Sequence, residues 1–149
     1  MITILLLALA GVVIGTVVGT LWYSPGTPTG KIHMQYLGFD KLSDEEKKMK
    51  IETSKPMMPK LYATQMLLTF LTSFVVVFIM RTSLQNGVPL SMAFGFIVIN
   101  WLCFMVPVTG SSILWSNCDR SIALKKFFSD STANLVIVLL IGGMASLFA

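Results

Sequence analysis

Residues 2–21 read ITILLLALAGVVIGTVVGTL, a run of 20 residues without an ionisable side chain. At a rise of 1.5 Å per residue, a helix of this length spans the hydrocarbon core of a bilayer, which is about 30 Å thick. Three more uncharged apolar stretches follow, at 61–80, 90–108 and 134–148. All eleven Lys and Arg residues and all seven Asp and Glu residues lie outside the four stretches. The sequence therefore predicts an integral membrane protein with four transmembrane helices.

The composition supports this class. Hydrophobic residues make up 54% of the chain and charged residues only 12%, against about 25% charged in soluble domains. Helices of a soluble core have one polar face, whereas these four stretches are apolar on all sides. We expect an all-α membrane protein, a single domain over residues 1–149, with four transmembrane helices in an antiparallel bundle. The expected spans are about 2–22, 60–81, 89–109 and 132–148, with a polar loop at 24–59.

The connections carry local signals for turns and for a surface helix. Ser43 and Glu46 form the S-x-x-E pattern of a capping box, which predicts a short surface helix over Asp44–Thr53 in the first loop. Asn86-Gly87 predicts a tight turn that joins spans two and three as an antiparallel hairpin. Pro107 lacks the N–H that would bond the Cys103 carbonyl, so a kink is expected there. The third loop is expected to cover Thr109–Thr132.

The distribution of positive charge predicts the orientation. Loops one and three hold seven and three Lys or Arg residues, whereas loop two holds only Arg81. Lys and Arg concentrate in cytoplasmic loops, so loops one and three are expected in the cytoplasm and both termini outside.

Small residues recur every four positions within three of the spans. Such spacing aligns them on one helix face and lets another helix approach closely. The approaching helix can belong to the same chain or to another subunit, and the sequence leaves both open. The candidate helix-packing residues are Gly11, Gly15, Gly19, Ser91, Gly95, Gly142 and Ser146.

Three carboxamides are the most polar side chains inside the spans. Asn100 lies near the middle of span three, and a carboxamide at that depth needs hydrogen-bond partners. A bond between helices would satisfy it, and so would a polar cavity or pore lining. The candidate residues for a polar cavity are Gln65, Asn100 and Asn134.

Several activities lack the residues they require. Proton-coupled transport uses an intramembrane carboxylate or histidine, and the spans hold neither. His33 is the only histidine, it lies in loop one, and no hydrolase or zinc-site motif accompanies it. No metal, cofactor or nucleic-acid partner is expected. An interfacial lipid enzyme that uses His33 and the nearby corner Trp22-Tyr23-Ser24-Pro25 is the least favoured hypothesis.

The run GTVVGTLWYSP, residues 15–25, resembles the end of the first helix in a family of small membrane proteins known as domain of unknown function 1761. The Trp22-Tyr23-Ser24-Pro25 corner is the specific part. The resemblance continues at Met34–Phe39, Glu45–Lys50, Trp101 and Leu140–Met144. It implies a four-helix membrane protein without an established activity.

This chain also departs from the family pattern. Many members carry Leu-Phe-Gly-x-x-Trp after the proline, where this chain has Gly26–Lys31, and several have a histidine where Asn134 stands. A shared chemistry that used that histidine would be missing here.

The preferred functional hypothesis is a non-enzymatic membrane subunit that self-associates, or binds a membrane-protein partner, through its glycine-rich helix faces. The alternative is a passive channel or transporter for a small solute or ion, lined by Asn, Gln and Thr side chains within the membrane. Membrane lipid is the other expected partner.

Overall fold

The computed structural model describes all residues, 1–149, and is helical throughout. Its seven α-helices, a 3-10 turn and a π-helical turn follow one another along the chain. They are α1 (Ile2–Trp22), α2 (Pro28–Tyr36), the 3-10 turn (Phe39–Lys41), α3 (Asp44–Ser54), α4 (Met58–Gln85), α5 (Leu90–Asn100), the π-helical turn (Trp101–Met105), α6 (Val106–Leu114) and α7 (Arg120–Ser146).

Four helical segments are long and apolar enough to cross a membrane. They are α1, α4, the continuous run from Leu90 to Leu114, and α7, with lengths of 21, 28, 25 and 27 residues. Large apolar side chains such as Leu6, Val13 and Phe78 point outward, where water would disfavour them and lipid tails would not. The chain is an integral membrane protein with four membrane-spanning helices, as the sequence predicted.

The centre of the bundle is a dry apolar core. It is formed by Leu7, Val76, Val77, Met80, Ala93, Ile97, Val138, Ile141 and Ala145, which come from α1, α4, α5 and α7. No ionic group enters this core, because none lies in the four apolar stretches. The short residues Ala93 and Ala145 are fully buried, which lets the helices pack closely.

Two glycines of α1 mark a close contact between helices. A Cβ atom built on Gly11 would lie 1.8 Å from Ser73 Oγ of α4, and one built on Gly15 would lie 2.7 Å from Thr69 Cγ2. Both glycines are buried, and Ile141 and Ile137 of α7 lie beside them. The groove cut by these two glycines is therefore filled by helices of the same chain.

Gly19 differs from the other two glycines, because a Cβ atom there would meet nothing within 4 Å. In the register set by Gly11–Ser73 and Gly15–Thr69, Gly19 would lie opposite Gln65 of α4. Residues 61–68 of α4 are all exposed, so α1 and α4 are no longer in close contact at this level.

The connection between spans three and four is shorter than the sequence analysis expected. The predicted loop Thr109–Thr132 is wrong for most of its length, since α6 continues to Leu114 and α7 begins at Arg120. Asp119 caps α7, and its Oδ1 accepts hydrogen bonds from the backbone N–H groups of Ser121 and Ile122. The charged residues after Asp119 therefore belong to α7, whereas the sequence analysis assigned them to a loop.

The capping box and the Asn86-Gly87 turn are present, and the helix is irregular before Pro107. Ser43 Oγ accepts from the Glu46 N–H, and Glu46 Oε2 accepts from the Ser43 N–H at 2.7 Å, so α3 begins as predicted. Gly87 follows α4 with a φ of 76°, a left-handed conformation that favours glycine. Before Pro107 the helix widens into the π-helical turn, one of the ways a helix accommodates a missing donor.

The close approach at Gly11 gives a stability prediction. Gly11→Ala places a methyl group inside the van der Waals radius of Ser73, so we expect a loss of about 1–3 kcal/mol in the free energy of unfolding. Gly19→Ala is the matched control, because it adds the same methyl group to the same helix in open space. Unfolding in mixed detergent micelles with increasing denaturing detergent measures both. Equal effects of the two substitutions would contradict the packing described here.

Candidate functional site

A cluster of polar and aromatic side chains closes the bundle at the end where α1 finishes. We call Trp22, Tyr23, His33, Tyr36, Lys126, Ser129 and Asp130 the end cluster. Trp22 and Tyr23 come from the end of α1, His33 and Tyr36 from α2, and the other three from α7. The end cluster thus joins the first loop to the last helix.

An ion pair lies at the centre of the end cluster. The Lys126 ammonium contacts both carboxylate oxygens of Asp130, four residues later on α7. Their side chains are only 7% and 20% exposed, so the pair is largely removed from solvent. Lys126 Nζ also lies 5.0 Å from the ring centre of Tyr23 and 5.6 Å from that of Tyr36. Aromatic faces attract a cation, which compensates part of its lost hydration.

Two hydrogen bonds tie the end of α1 to α7. The Trp22 indole Nε1–H donates to Ser129 Oγ at 3.1 Å, and the Tyr23 hydroxyl donates to Asp130 Oδ1 at 2.7 Å. Trp and Tyr favour the level of the lipid headgroups, so we expect the end cluster at the membrane–water boundary. A second indole, that of Trp101, donates to the Ser131 carbonyl at 3.0 Å.

The corner after α1 positions α2 against the cluster. The Thr27 side chain accepts from the Gly30 N–H at 3.0 Å, and Pro28 follows as the first helical residue. A Cβ atom on Gly30 would lie 1.9 Å from the Ser24 carbonyl oxygen, so only glycine fits there. The stretch Gly26–Lys31 therefore caps and starts α2.

Burial and charge change the titration of two groups in the end cluster. Burial, reinforced by the hydrogen bond to Asp130 and by its negative charge, raises the pKa of Tyr23 far above its usual range. Burial first, and the positive charge of Lys126 second, lower the pKa of His33, while Asp130 acts in the opposite direction. Tyr23 therefore remains a hydrogen-bond donor, and His33 is neutral at pH 7.

The predicted helix-packing residues have different surroundings. Gly11, Gly15 and Gly142 are buried, and a Cβ on Gly142 would lie 2.7 Å from Ile97 Cδ1. A Cβ on Gly95 would meet nothing, and Ser91 is exposed. Ser146 donates only to the carbonyl of Gly143 in its own helix.

The predicted polar-cavity residues lie on different helices and form no hydrogen bonds with one another. Gln65 is exposed on α4 and donates to Thr69 Oγ1 at 3.3 Å. Asn134 is half-buried on α7. Asn100 lines an open groove of about 350 Å³ on the outside of the bundle, with Leu71, Thr72, Val75, Val76, Phe104 and Met105.

Sequence reasoning missed the α7 part of the end cluster. Lys126 and Asp130 were assigned to a loop. His33 was assigned to loop one without partners, whereas its Nδ1 atom is buried. Lys and Asp four residues apart form a pair only if the segment is helical. Asp119, as a potential N-cap, was the available signal that α7 begins before Lys126 and Asp130.

The buried ion pair gives a second stability prediction. Asp130→Leu leaves the Lys126 ammonium buried without a counter-ion, so we expect a loss of about 3–5 kcal/mol in the free energy of unfolding. Lys126→Met should lose less, because the Asp130 carboxylate is more exposed and keeps the Tyr23 hydroxyl. The double variant should recover much of the loss in the same unfolding measurement. Strictly additive losses would contradict the pairing.

Comparison with known proteins identifies a family but no function. No curated protein and no solved structure matches the chain. The family model described as "Protein of unknown function (DUF1761)" matches residues 6–146, which cover nearly the whole chain and all of the end cluster. The chain is a member of this family of unknown function.

Proposed function

We propose that this protein is a non-enzymatic membrane subunit that pairs with a second copy of itself through the groove at Asn100. The supporting observation is a carboxamide in an apolar, outward-facing groove, without a side-chain hydrogen bond to the rest of the chain. The sequence favoured association through the glycine faces, but the buried glycines of these faces are already occupied. Gly11, Gly15 and Gly142 already pack against Ser73, Thr69 and Ile97 of the same chain.

The depth of Asn100 in the membrane makes its lack of a partner costly. Thr72 lines the groove with Asn100, and the next residue of α4, Ser73, lies against Gly11 in the middle of α1. Asn100 is therefore level with the middle of the membrane, where water does not satisfy a polar group. Each amide in hydrocarbon without a partner is destabilising by several kcal/mol.

A second copy offers a partner of the right chemistry. A carboxamide both donates and accepts, so two Asn100 side chains related by a two-fold axis can exchange two hydrogen bonds. Leu71, Val75 and Phe104 border the groove with apolar side chains that are exposed in the single chain. Their packing across the axis would add dispersion contacts, which drive helix association in lipid.

A conduit is the less favoured function for the single chain. The middle of the bundle is filled by Val77, Met80, Ile97 and Ile141, all at most 1% exposed. A solute path would have to lie between subunits, and no observation favours one.

The orientation of the chain is part of the proposal. The end cluster and the seven basic residues of loop one lie on the same side as Arg120, Lys125 and Lys126 of α7. This concentration supports a cytoplasmic position for that side and an outside position for both termini and the Asn86-Gly87 turn.

Self-association is tested with Asn100→Leu. Loss of the central hydrogen bonds should raise the dimer dissociation constant about 3- to 30-fold, which corresponds to about 0.6–2 kcal/mol. Gln65→Leu is the matched control, since Gln65 is also a carboxamide in a span but lies outside the groove. Subunit counting by stepwise photobleaching in liposomes, over a range of protein-to-lipid ratios, measures the equilibrium. A wild-type chain that stays monomeric, or equal effects of both substitutions, would remove the proposal.

Orientation is tested with single cysteines in a Cys103→Ser/Cys118→Ser background. Asn86→Cys should react with an impermeant maleimide added outside intact cells, whereas Lys48→Cys should react only after permeabilisation. The reverse pattern would refute the assigned orientation without bearing on self-association.

A further inference from the structure

Helix α2 is attached to the bundle mainly through the end cluster. Its first turn is fixed by Thr27 and by the contact of Gly30 with the Ser24 carbonyl. Its later residues His33 and Tyr36 lie against Tyr23 and Lys126. After α2 the chain turns at Gly38, whose φ of 73° marks a left-handed position. The last turn of α2 therefore lies between a fixed corner and a glycine.

His33 is the unusual member of the end cluster. Its ring centre is 5.0 Å from that of Tyr23, and its Nδ1 atom is buried without a hydrogen-bond partner. A neutral imidazole can leave one nitrogen as an unprotonated acceptor, but a protonated imidazole donates from both nitrogens. Protonation would thus give Nδ1 a hydrogen that has no acceptor in the docked position.

The charged and titratable groups around His33 disfavour a second cation. Lys126 of α7 is already a buried ammonium ion between the Tyr23 and Tyr36 rings. Both oxygens of Asp130, the nearby anion, contact Lys126, and Oδ1 also accepts from the Tyr23 hydroxyl. The anion that would otherwise stabilise an imidazolium ion is therefore engaged.

We propose that α2 is a pH-sensitive latch, whose last turn docks on α7 while His33 is neutral and separates from it when His33 is protonated. The proposal does not depend on self-association, because the end cluster lies away from the Asn100 groove. Release would uncover the Lys126–Asp130 pair on the side that carries most of the basic loop residues.

The direction in which pH changes the docking of α2 follows from the pKa of His33 in the docked and released states. The pKa of His33 is lowered from 6.5 in the docked state, so the released state binds the proton more strongly. Docking is fully stable above about pH 6.5 and weakens as the pH falls toward the docked pKa. Within that window the ratio of docked to released α2 falls by about tenfold per pH unit.

The latch is tested by a distance between two spin labels on the full chain in lipid nanodiscs. Gln35→Cys labels the exposed side of the last turn of α2, and Leu124→Cys labels the exposed side of α7. Both are introduced in a Cys103→Ser/Cys118→Ser background, and labelled chains are diluted with unlabelled ones so that distances within one chain dominate. We expect one short distance at pH 8 and a growing longer population below pH 6.5.

His33→Gln is the matched variant, because it keeps a polar side chain that does not titrate in this range. Its short distance should persist from pH 8 to pH 5. If His33→Gln does not dock at pH 8, His33→Phe, which keeps a ring against Tyr23, replaces it in the same comparison. A wild-type distance that does not change between pH 8 and pH 5 would overturn the proposal. So would a pH response that survives in the non-titrating variant, since another group would then be responsible.

Discussion

The exclusion of water from the hydrocarbon core is the constraint on which the rest of this structure depends. Without water, polar side chains need partners within the protein, and ionic groups belong at the membrane boundary. The chain satisfies this by keeping every Asp, Glu, Lys, Arg and His residue out of four apolar stretches. Helices then pack through small residues, as at Gly11, Gly15 and Gly142, because close backbone contact replaces the hydrophobic effect as the source of association.

The same constraint explains why the polar chemistry lies at one end of the bundle. Lys126 and Asp130 are placed where Trp22 and Tyr23 end the first helix, so that a largely buried ion pair has hydrogen-bond and aromatic partners. Replacing water by these partners makes the pair sensitive to any further charge. His33 is the one titratable group beside it with an unpartnered buried nitrogen. The proposed pH response of α2 therefore originates beside this pair, in the protonation of His33.

Sequence reasoning predicted those features that depend on neighbouring residues. The capping box at Ser43 and Glu46 and the turn at Gly87 involve residues three or fewer positions apart, so the pattern alone was sufficient. The four membrane helices followed from length and the lack of charge. The end cluster was not predicted as a unit, because Trp22 and Ser129 are 107 positions apart, and a single sequence does not record which faces meet. The early start of α7 was missed because Arg120, Lys125 and Lys126 resemble a polar loop when the helix around them is not recognised.

Hydrogen–deuterium exchange in lipid nanodiscs tests the central claim, that four helices are enclosed by lipid and that their backbone amides bond within the helices. Backbone amides at 2–21, 61–80, 90–108 and 134–148 should remain protected for hours, including the segment 61–68, whose side chains face outward on all sides of α4. The first loop around α3 should exchange much faster. Rapid exchange through the exposed part of α4 would show that water surrounds it, and would contradict the account.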